Sequence, residues 1–216
     1  MTSAPCRLAV LISGAGSTMV NLQEHITRGE VPARIAVVVS SRSDAPGIAR
    51  ARALGLEVQV LGREPFRREG IFDEAAYSVA LAALLSRTSP DLVVLAGFMT
   101  RLTGPVLDRW PVMNVHPALL PAFGGEGFYG HRVHEAVLAS GAHVTGATVH
   151  FVDARYDHGP IVAREEIEVL PGETPDALAA RVQEVERRIY PSAVAAFARG
   201  ELTERCPVKN RSRGGP

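Results

Sequence analysis

Cysteine is scarce in this chain, and its two cysteines, Cys6 and Cys206, stand near opposite ends of the 216 residues. Such a pair offers neither a disulfide framework nor the close spacing of a metal site, and it suits a reducing compartment. Net charge is also missing, because 23 basic residues balance 23 acidic ones. No overall positive field therefore draws in nucleic acid, and any anion site must be local.

Long apolar runs are absent as well, since no stretch approaches the ~20 residues that a membrane-spanning helix requires. The N-terminus MTSAPCRLAVLI does not have the pattern of a secretory signal, because Arg7 leads directly into a strand-like segment. These absences predict a cytoplasmic protein that binds neither membrane nor nucleic acid. The 46% hydrophobic composition is sufficient for the core of one compact domain.

Strand-like and helix-like segments alternate through the first half of the chain. Strands are predicted at 7–12, 33–41, 57–62, 90–98 and 111–116. Helices are predicted at 17–28, 44–56, 72–87 and 131–140, and Asp44 is the expected N-cap of the second helix. This alternation favours an α/β fold with a mostly parallel, doubly wound (Rossmann-like) sheet and helices on both faces.

The second half has a different order. The segments 143–152 and 159–169 follow each other without an intervening helix, which predicts an antiparallel pair of strands toward the C-terminus. A long closing helix is predicted over 174–202, with Thr174 as N-cap and a bend or break near Pro191. We expect one domain over 1–205 and a polar tail at 206–216.

The glycine-rich stretch SGAGST at 13–18 joins the first predicted strand to the first helix. Glycines let the backbone approach a bound group, and a helix N-terminus offers free N–H groups to an anion. Gly14 and Gly16 fit the dinucleotide pattern G-x-G-x-x-G, but Met19 stands at its third glycine, and the lysine of a P-loop is missing. The stretch indicates either a tight turn or a site for a single phosphate.

Asn114 and His116 lie in VMNVHPALLPAF, at the end of the fifth predicted strand. They stand two positions apart in a strand, so their side chains point to the same side of the sheet. They also lie at the edge where parallel sheets bind ligands. An asparagine amide can donate to an oxyanion, and a histidine can donate or transfer a proton. Pro117 and Pro121 restrict the backbone that follows. The alternative is a structural histidine with a capping asparagine.

Asp157, in the polar loop DARYDHGP, is the predicted carboxylate partner of His116. A carboxylate there would raise the pKa of the histidine and hold it protonated. An ordinary turn aspartate is the alternative, and Asp153 in the same loop competes for the role. The other histidines lack metal-ligand spacing and the chain has no H-E-x-x-H, so we expect no metal.

Five segments in order, VLISGAGSTMVNL, VVLAGFM, MNVHPALLPAF, TGATVHFVDARYDHGPIV and VQEVERRIYP, resemble the phosphoribosylglycinamide formyltransferases over roughly 7–205. The H-P-x-L-L-P element is shared across the wider superfamily, and its combination with S-G-x-G-S and Q-x-x-E-x-x-x-Y-P is more specific. The resemblance implies formyl transfer from 10-formyltetrahydrofolate, as cosubstrate and without a metal, to the amine of glycinamide ribonucleotide in de novo purine biosynthesis. It leaves open whether the chain is a monomer or a homodimer.

The resemblance also assigns roles to residues. The catalytic Asn, His and Asp of the family fall on Asn114, His116 and Asp157, of which the first two would stabilise an oxyanion and the third would support proton transfer. About 1–110 would form the substrate-phosphate half and about 111–205 the folate and catalytic half. The implied substrate contacts are Gly16, Ser17, Thr18, Met99, Pro121, Gln183 and Glu186. The implied folate contacts are Met99, Leu102, Val152, Asp153, Ala154 and Asp157.

The chain departs from many members of that family at Ala15, Thr100 and His158, and in a longer segment at 124–137, which puts folate affinity and loop closure in doubt. Three rival functions remain. A methionyl-tRNA formyltransferase is expected to carry a further RNA-binding domain and more positive charge. A formyltetrahydrofolate deformylase, with water as acceptor, is expected to carry an N-terminal regulatory domain. A nucleotide- or folate-binding module without turnover is the third.

Overall fold

The computed structural model describes residues 4–202, and Cys206 and the predicted tail at 206–216 lie outside them. Within the described residues the strands are β1 Cys6–Ile12, β2 Ala33–Ser40, β3 Val58–Val60, β4 Arg67–Arg68, β5 Ile71–Phe72, β6 Leu92–Leu95, β7 Val112–His116, β8 Val144–Phe151 and β9 Ile161–Glu168. The helices are α1 Ser17–Thr27, α2 Pro46–Ala53, α3 Glu74–Thr88, α4 Gly104–Leu107, α5 His131–Ala139 and α6 Pro175–Ala198, and a 3-10 turn covers Glu64–Phe66.

Seven strands form one sheet in the order β3-β2-β1-β6-β7-β8-β9. The first five strands of this order are parallel, whereas β8 is antiparallel to both β7 and β9. The predicted fold class, a mostly parallel α/β sheet with an antiparallel pair and a long closing helix, is therefore confirmed. The antiparallel part begins beside β7, the strand that carries Asn114 and His116.

The central strand β1 is buried on both faces, as is typical of parallel sheets covered by helices. Leu8 and Val10 pack in a core shared with α1 and α6, while Ala9 and Leu11 pack on the opposite face beneath α3. Each fully buried aliphatic side chain of this kind contributes roughly 1.5–3 kcal/mol. Two apolar layers thus enclose the sheet, and polar side chains emerge at the ends of its strands.

Several details differ from the sequence-based expectation. Asp44 is not the N-cap of α2: Ala45 occupies that position because Pro46, with its fixed φ, begins the helix, and Asp44 pairs with Arg42 at 2.6 Å. Strand β6 is shorter than predicted, and Gly97 follows it in the left-handed conformation with φ 72°. The hairpin β4–β5 and helix α4 were not predicted, because they are too short to show a periodic pattern.

Helix α6 continues through Pro191 for 24 residues, so the predicted break is wrong. Proline lacks an N–H, and the carbonyl of Arg187 one turn earlier therefore loses its helical partner. Asn21 of α1 donates its side-chain N–H to this carbonyl at 2.9 Å, which satisfies the orphaned acceptor. The N-cap is as predicted, because Thr174 accepts the N–H of Ala177 at 3.3 Å.

Tyr190 joins α6 to the sheet. Its hydroxyl lies 2.9 Å from the carbonyl oxygen of Leu95 and 2.7 Å from that of Met113, at β6 and β7. Burial raises the pKa of Tyr190 well above its ordinary value, so the hydroxyl keeps its one hydrogen, which is shared between the two carbonyl oxygens. The contact fixes α6 to the residue immediately before Asn114.

Tyr190→Phe should destabilise the protein by about 1–3 kcal/mol, because it removes a buried hydroxyl hydrogen that two carbonyl oxygens share. Urea denaturation would show a lower midpoint with an unchanged m-value. Ser192→Ala is the matched control, since it removes a more exposed hydroxyl that bonds to a carbonyl of the same helix. If Tyr190→Phe costs no more than this control, the hydroxyl does not anchor the helix.

Candidate active site

β7 ends on two polar side chains that lie on one face of the sheet. His116 is buried, with 3% of its surface exposed, and Asn114 is half-buried. In the antiparallel register with β8, Asn114 lies opposite His150 and His116 lies opposite Thr148. Strand β8 therefore supplies the polar neighbours of both side chains. Asn114 and His116 point to the same face of the sheet, as predicted.

The segment after β7 is held against β8 by one threonine. Thr148 donates its hydroxyl hydrogen to the carbonyl of Ala118 at 2.7 Å and accepts the N–H of Leu120 at 3.0 Å. Its hydroxyl is buried, so the two bonds are shielded from water. The chain is thereby fixed just beyond His116, and the predicted contact residue Pro121 follows on the exposed surface.

Asp157 reaches the same place from the loop between β8 and β9. Its Oδ2 lies 3.5 Å from Nδ1 of His116, and its Oδ1 lies 3.6 Å from Nε2 of His150. The N–H of Gly125 donates to Oδ2 at 3.0 Å. A Cβ atom at Gly124 would lie 2.4 Å from Cδ2 of Leu120 and 3.2 Å from the Cβ of Asp157, so a larger residue here would require the Leu120 side chain and the Asp157 loop to shift.

Both ring nitrogens of His116 face acceptors. Nε2 lies 2.7 Å from the carbonyl oxygen of Phe123, and Nδ1 faces Asp157. Burial, together with the neighbouring His150, lowers the pKa of His116 by more than Asp157 and the Phe123 carbonyl raise it, so the net shift is downward. Asp157 thus acts in the expected direction, but desolvation outweighs the ion pair in the unliganded protein.

The carboxylate of Asp157 is shifted in the direction that favours its charge. Burial raises the pKa of Asp157, but the neighbouring His150 and His116 and the N–H of Gly125 lower it by more. Asp153, its competitor, accepts instead from the N–H of Arg155 at 2.8 Å and lies 2.8 Å from Nδ1 of His158. The structure therefore directs Asp157, and not Asp153, toward His116.

Sequence reasoning missed His150. This side chain is 1% exposed, and its Nε2 lies 3.3 Å from Nδ2 of Asn114. Its place in a strand pattern indicated only a residue of the sheet. The signal that identifies it is the register of β8 against β7, which is a tertiary property and cannot be read from spacing along the chain.

A small cleft lies between the start of α1 and the middle of α6. It is lined by Ser17, Thr18, Asn21, Gln183, Glu186 and Arg187, so the predicted substrate contacts from distant parts of the chain meet there. Gly16 is the N-cap of α1 with φ 73°, no side chain caps the helix, and its first turn has no acidic residue. This helix end is therefore suited to an anion.

Glu186 is the unusual member of this cleft. Burial raises its pKa to about 7, and no hydrogen bond or neighbouring charge within residues 4–202 offsets that shift. A carboxyl group in such surroundings is held close to neutrality, and it is free to bond to a ligand hydroxyl or amine.

The residues expected to contact folate lie on two neighbouring segments. Met99, 55% exposed, follows β6, and its N–H donates to Ser13. Arg101, beside it, donates to the carbonyl of Ala154 at 2.9 Å and so joins this segment to the loop after β8. Leu102 differs from the others, because its side chain is buried in the core beneath α3.

Val152 and Asp153 open the second of these segments, directly after β8. The N–H of Val152 donates to the carbonyl of Val112 in β7 at 2.8 Å, so the segment begins against the strand that carries Asn114. The guanidinium of Arg101 also lies 5.3 Å from the ring centroid of Tyr156 in this loop. The two predicted folate segments are therefore in mutual contact.

Neither a metal centre nor a membrane segment is found in residues 4–202. No three His, Cys, Asp or Glu side chains in this part of the chain are grouped to hold a metal ion. No helix there is both long and apolar enough to cross a membrane.

Comparisons with known proteins agree with this arrangement. Residues 6–194 match the family model described as formyl transferase. The chain is 43% identical to the phosphoribosylglycinamide formyltransferase of Mycobacterium tuberculosis over 205 residues, which cover 93% of this chain and 89% of that protein. It is 37% identical over 193 residues to the chloroplastic phosphoribosylglycinamide formyltransferase of Arabidopsis thaliana, which cover 88% of this chain, and it spans 65% of that relative's length.

The fold has close structural counterparts as well. The crystal structure of glycinamide ribonucleotide transformylase 1 from Symbiobacterium toebii has a TM-score of 0.84 to this chain at 38% identity, and the match covers 92% of this chain and 90% of that one. The family model covers most of the chain, and sequence and structural relatives point to the same group. The chain therefore belongs to the formyl transferase family, among the phosphoribosylglycinamide formyltransferases.

Proposed function

We propose that this protein transfers a formyl group from 10-formyltetrahydrofolate to the amine of glycinamide ribonucleotide, in de novo purine biosynthesis and in the cytoplasm. The observation that carries the proposal is the meeting of Asn114, His116 and Asp157 at the end of β7, in a chain of this family. The names of the relatives supply the acceptor and the formyl group, and a formyl folate is the donor that the sequence resemblance implies.

The reaction requires stabilisation of one transient anion. The amine nitrogen attacks the formyl carbon, a C–N bond forms, and the formyl oxygen becomes an oxyanion in the tetrahedral intermediate. The amide N–H of Asn114, on one face of a strand end, would donate to this oxygen. We assign the same role to His116, whose Nε2–H would have to exchange the carbonyl of Phe123 for the oxyanion when the substrates bind. Removing one such donor typically lowers the rate by about 10²–10³-fold.

One proton must also move. As the intermediate collapses, the bond from the formyl carbon to the folate N10 breaks, and the proton lost by the amine is returned to N10. His116 has a lowered pKa and is neutral near pH 7, so it can accept this proton. Asp157 beside Nδ1 and the carbonyl of Phe123 beside Nε2 would stabilise the imidazolium while it lasts.

The ribonucleotide would bind across the cleft between α1 and α6. Its phosphate suits the uncapped N-terminus of α1 at Gly16, Ser17 and Thr18, and its ribose suits Gln183 and Glu186. In this proposal the phosphate site belongs to the half at about 1–110, and the folate and catalytic groups belong to the half at about 111–205. Helix α6, although it lies in the second half, completes the phosphate site. The folate would lie against the joined segments at Met99 and Ala154.

A direct assay tests the function. The purified protein is mixed with glycinamide ribonucleotide and a 10-formyl folate, and loss of the formyl donor is followed by absorbance. We expect loss that requires the ribonucleotide, and a decrease of about 10²-fold in kcat for His116→Ala with both substrates still bound. Donor loss without the ribonucleotide would instead indicate hydrolysis, and no loss with both ligands bound would contradict any catalytic function.

The two aspartates of the loop after β8 should behave differently. Asp157→Asn should lower kcat by about 10²-fold, because a neutral amide beside Nδ1 cannot stabilise the imidazolium. Asp153→Asn should affect kcat much less, since its carboxylate bonds to His158 and to the N–H of Arg155. Steady-state kinetics of the two isosteric variants would decide, and the reverse order of effects would transfer the role to Asp153.

Glu186→Gln should stabilise the unliganded protein at pH 8 and not at pH 4.5. The folded-state pKa of about 7 lies above the ordinary 4.5, so the folded protein loses stability as pH rises through this interval and Glu186 ionises in place. Glu186→Gln has no ionisable carboxyl group at this position, so it avoids this loss of folding stability, which amounts to roughly 2–3 kcal/mol. Urea denaturation at both pH values measures it.

Glu184→Gln is the matched control, since Glu184 is 62% exposed on the same helix, and its effect should stay within about 0.5 kcal/mol at either pH. Glu186→Gln should also raise KM for the ribonucleotide more than KM for the folate. Equal pH dependence of wild type and Glu186→Gln would show that the carboxyl group is not desolvated.

A further inference from the structure

His150 has two hydrogen-bond partners and one nearby carboxylate, although it is almost completely buried. Its Nδ1 lies 2.9 Å from the carbonyl oxygen of Phe151, and its Nε2 lies 3.3 Å from Nδ2 of Asn114 and 3.6 Å from Oδ1 of Asp157. It thus adjoins two of the three side chains of the proposed reaction, from the strand directly opposite.

The contact to the backbone determines where one hydrogen of the ring lies. A carbonyl oxygen only accepts, so Nδ1 of His150 must carry a hydrogen and donate it to Phe151. In the neutral ring Nε2 is then an acceptor. An acceptor at this position matches the amide nitrogen of Asn114, which can only donate.

The single carboxylate of the site argues against a second charge on His150. Asp157 lies at similar distances from His116 and His150, 3.5 and 3.6 Å. A buried charge is tolerated only when it is paired, and one carboxylate balances one imidazolium. The reaction as proposed places the transient positive charge on His116, which leaves His150 as the neutral partner.

We propose that His150 is a positioning residue for Asn114: its neutral ring accepts one N–H of the amide and so aims the other N–H at the oxyanion. This inference rests on the proposed function. Without the acceptor, the Asn114 amide can turn over and present its oxygen to the oxyanion, where two negative partial charges would repel. His150 itself touches neither substrate in this arrangement.

Kinetics of paired variants test the inference. His150→Phe should lower kcat about 10-fold or more with little change in either KM, because it removes the acceptor and keeps an aromatic ring. His150→Gln should recover most of the rate, since its side-chain carbonyl can accept the same N–H. Thr145→Val is the control, because it replaces a buried hydroxyl of β8 that has no partner among residues 4–202, and it should retain the wild-type kcat.

A double-mutant cycle shows whether His150 acts through Asn114. In an Asn114→Ala background, measured in single turnovers, His150→Phe should cost less than about 2-fold, since the amide that it positions is already gone. An equal cost in both backgrounds would overturn the inference. If the wild-type protein shows no transfer at all, the proposed function fails, and the cycle does not then bear on His150.

The tautomer of His150 is testable without turnover. We expect ¹⁵N NMR of histidine-labelled, unliganded protein at pH 7 to show a neutral His150 ring with the hydrogen on Nδ1, assigned by comparison with His150→Gln. An imidazolium, or a hydrogen on Nε2 alone, would overturn the inference even if the enzyme is fully active. This readout separates failure of the inference from failure of the proposed function.

Discussion

The antiparallel register between β7 and β8 is the constraint on which the site depends. It places His150 opposite Asn114 and Thr148 opposite His116, with all four side chains on one face of the sheet. A shift of one residue would replace these polar neighbours by Val149 and either Ala147 or Phe151, and His150 and Thr148 would then face the other side of the sheet. Thr148 then fixes the chain beyond His116 through Ala118 and Leu120. The positions of the reacting groups therefore follow from backbone pairing.

Helix α6 is the second long-range element of the architecture. Tyr190 joins it to the ends of β6 and β7, and Gln183 and Glu186 bring it to the start of α1. The helix can continue through Pro191 because Asn21 supplies the missing donor. Contacts from one helix thus reach both the proposed phosphate site and the strand of Asn114, so the two halves of the chain are held in fixed relation.

Two polar groups of the proposed site, His116 and Glu186, are buried without a full ionic partner. Burial lowers the pKa of His116 and raises that of Glu186 to about 7, so both are held close to neutrality in the unliganded protein. This arrangement costs stability, because each group loses hydration that its neighbours replace only in part. It leaves both groups able to exchange a proton or a hydrogen bond with a ligand, which is the usual relation between desolvation and function.

The sequence by itself determined the order of strands and helices, the antiparallel pair and the shared side of Asn114 and His116, because periodicity and parity are local properties. It misplaced the cap of α2 at Asp44 and gave no indication of the hairpin β4–β5. Only the tertiary structure separated Asp157 from Asp153 and brought His150 to Asn114. Only the tertiary structure shows that burial outweighs Asp157 and makes the net pKa shift of His116 downward. Register and burial arise from contacts between distant parts of the chain, and no local pattern contains them.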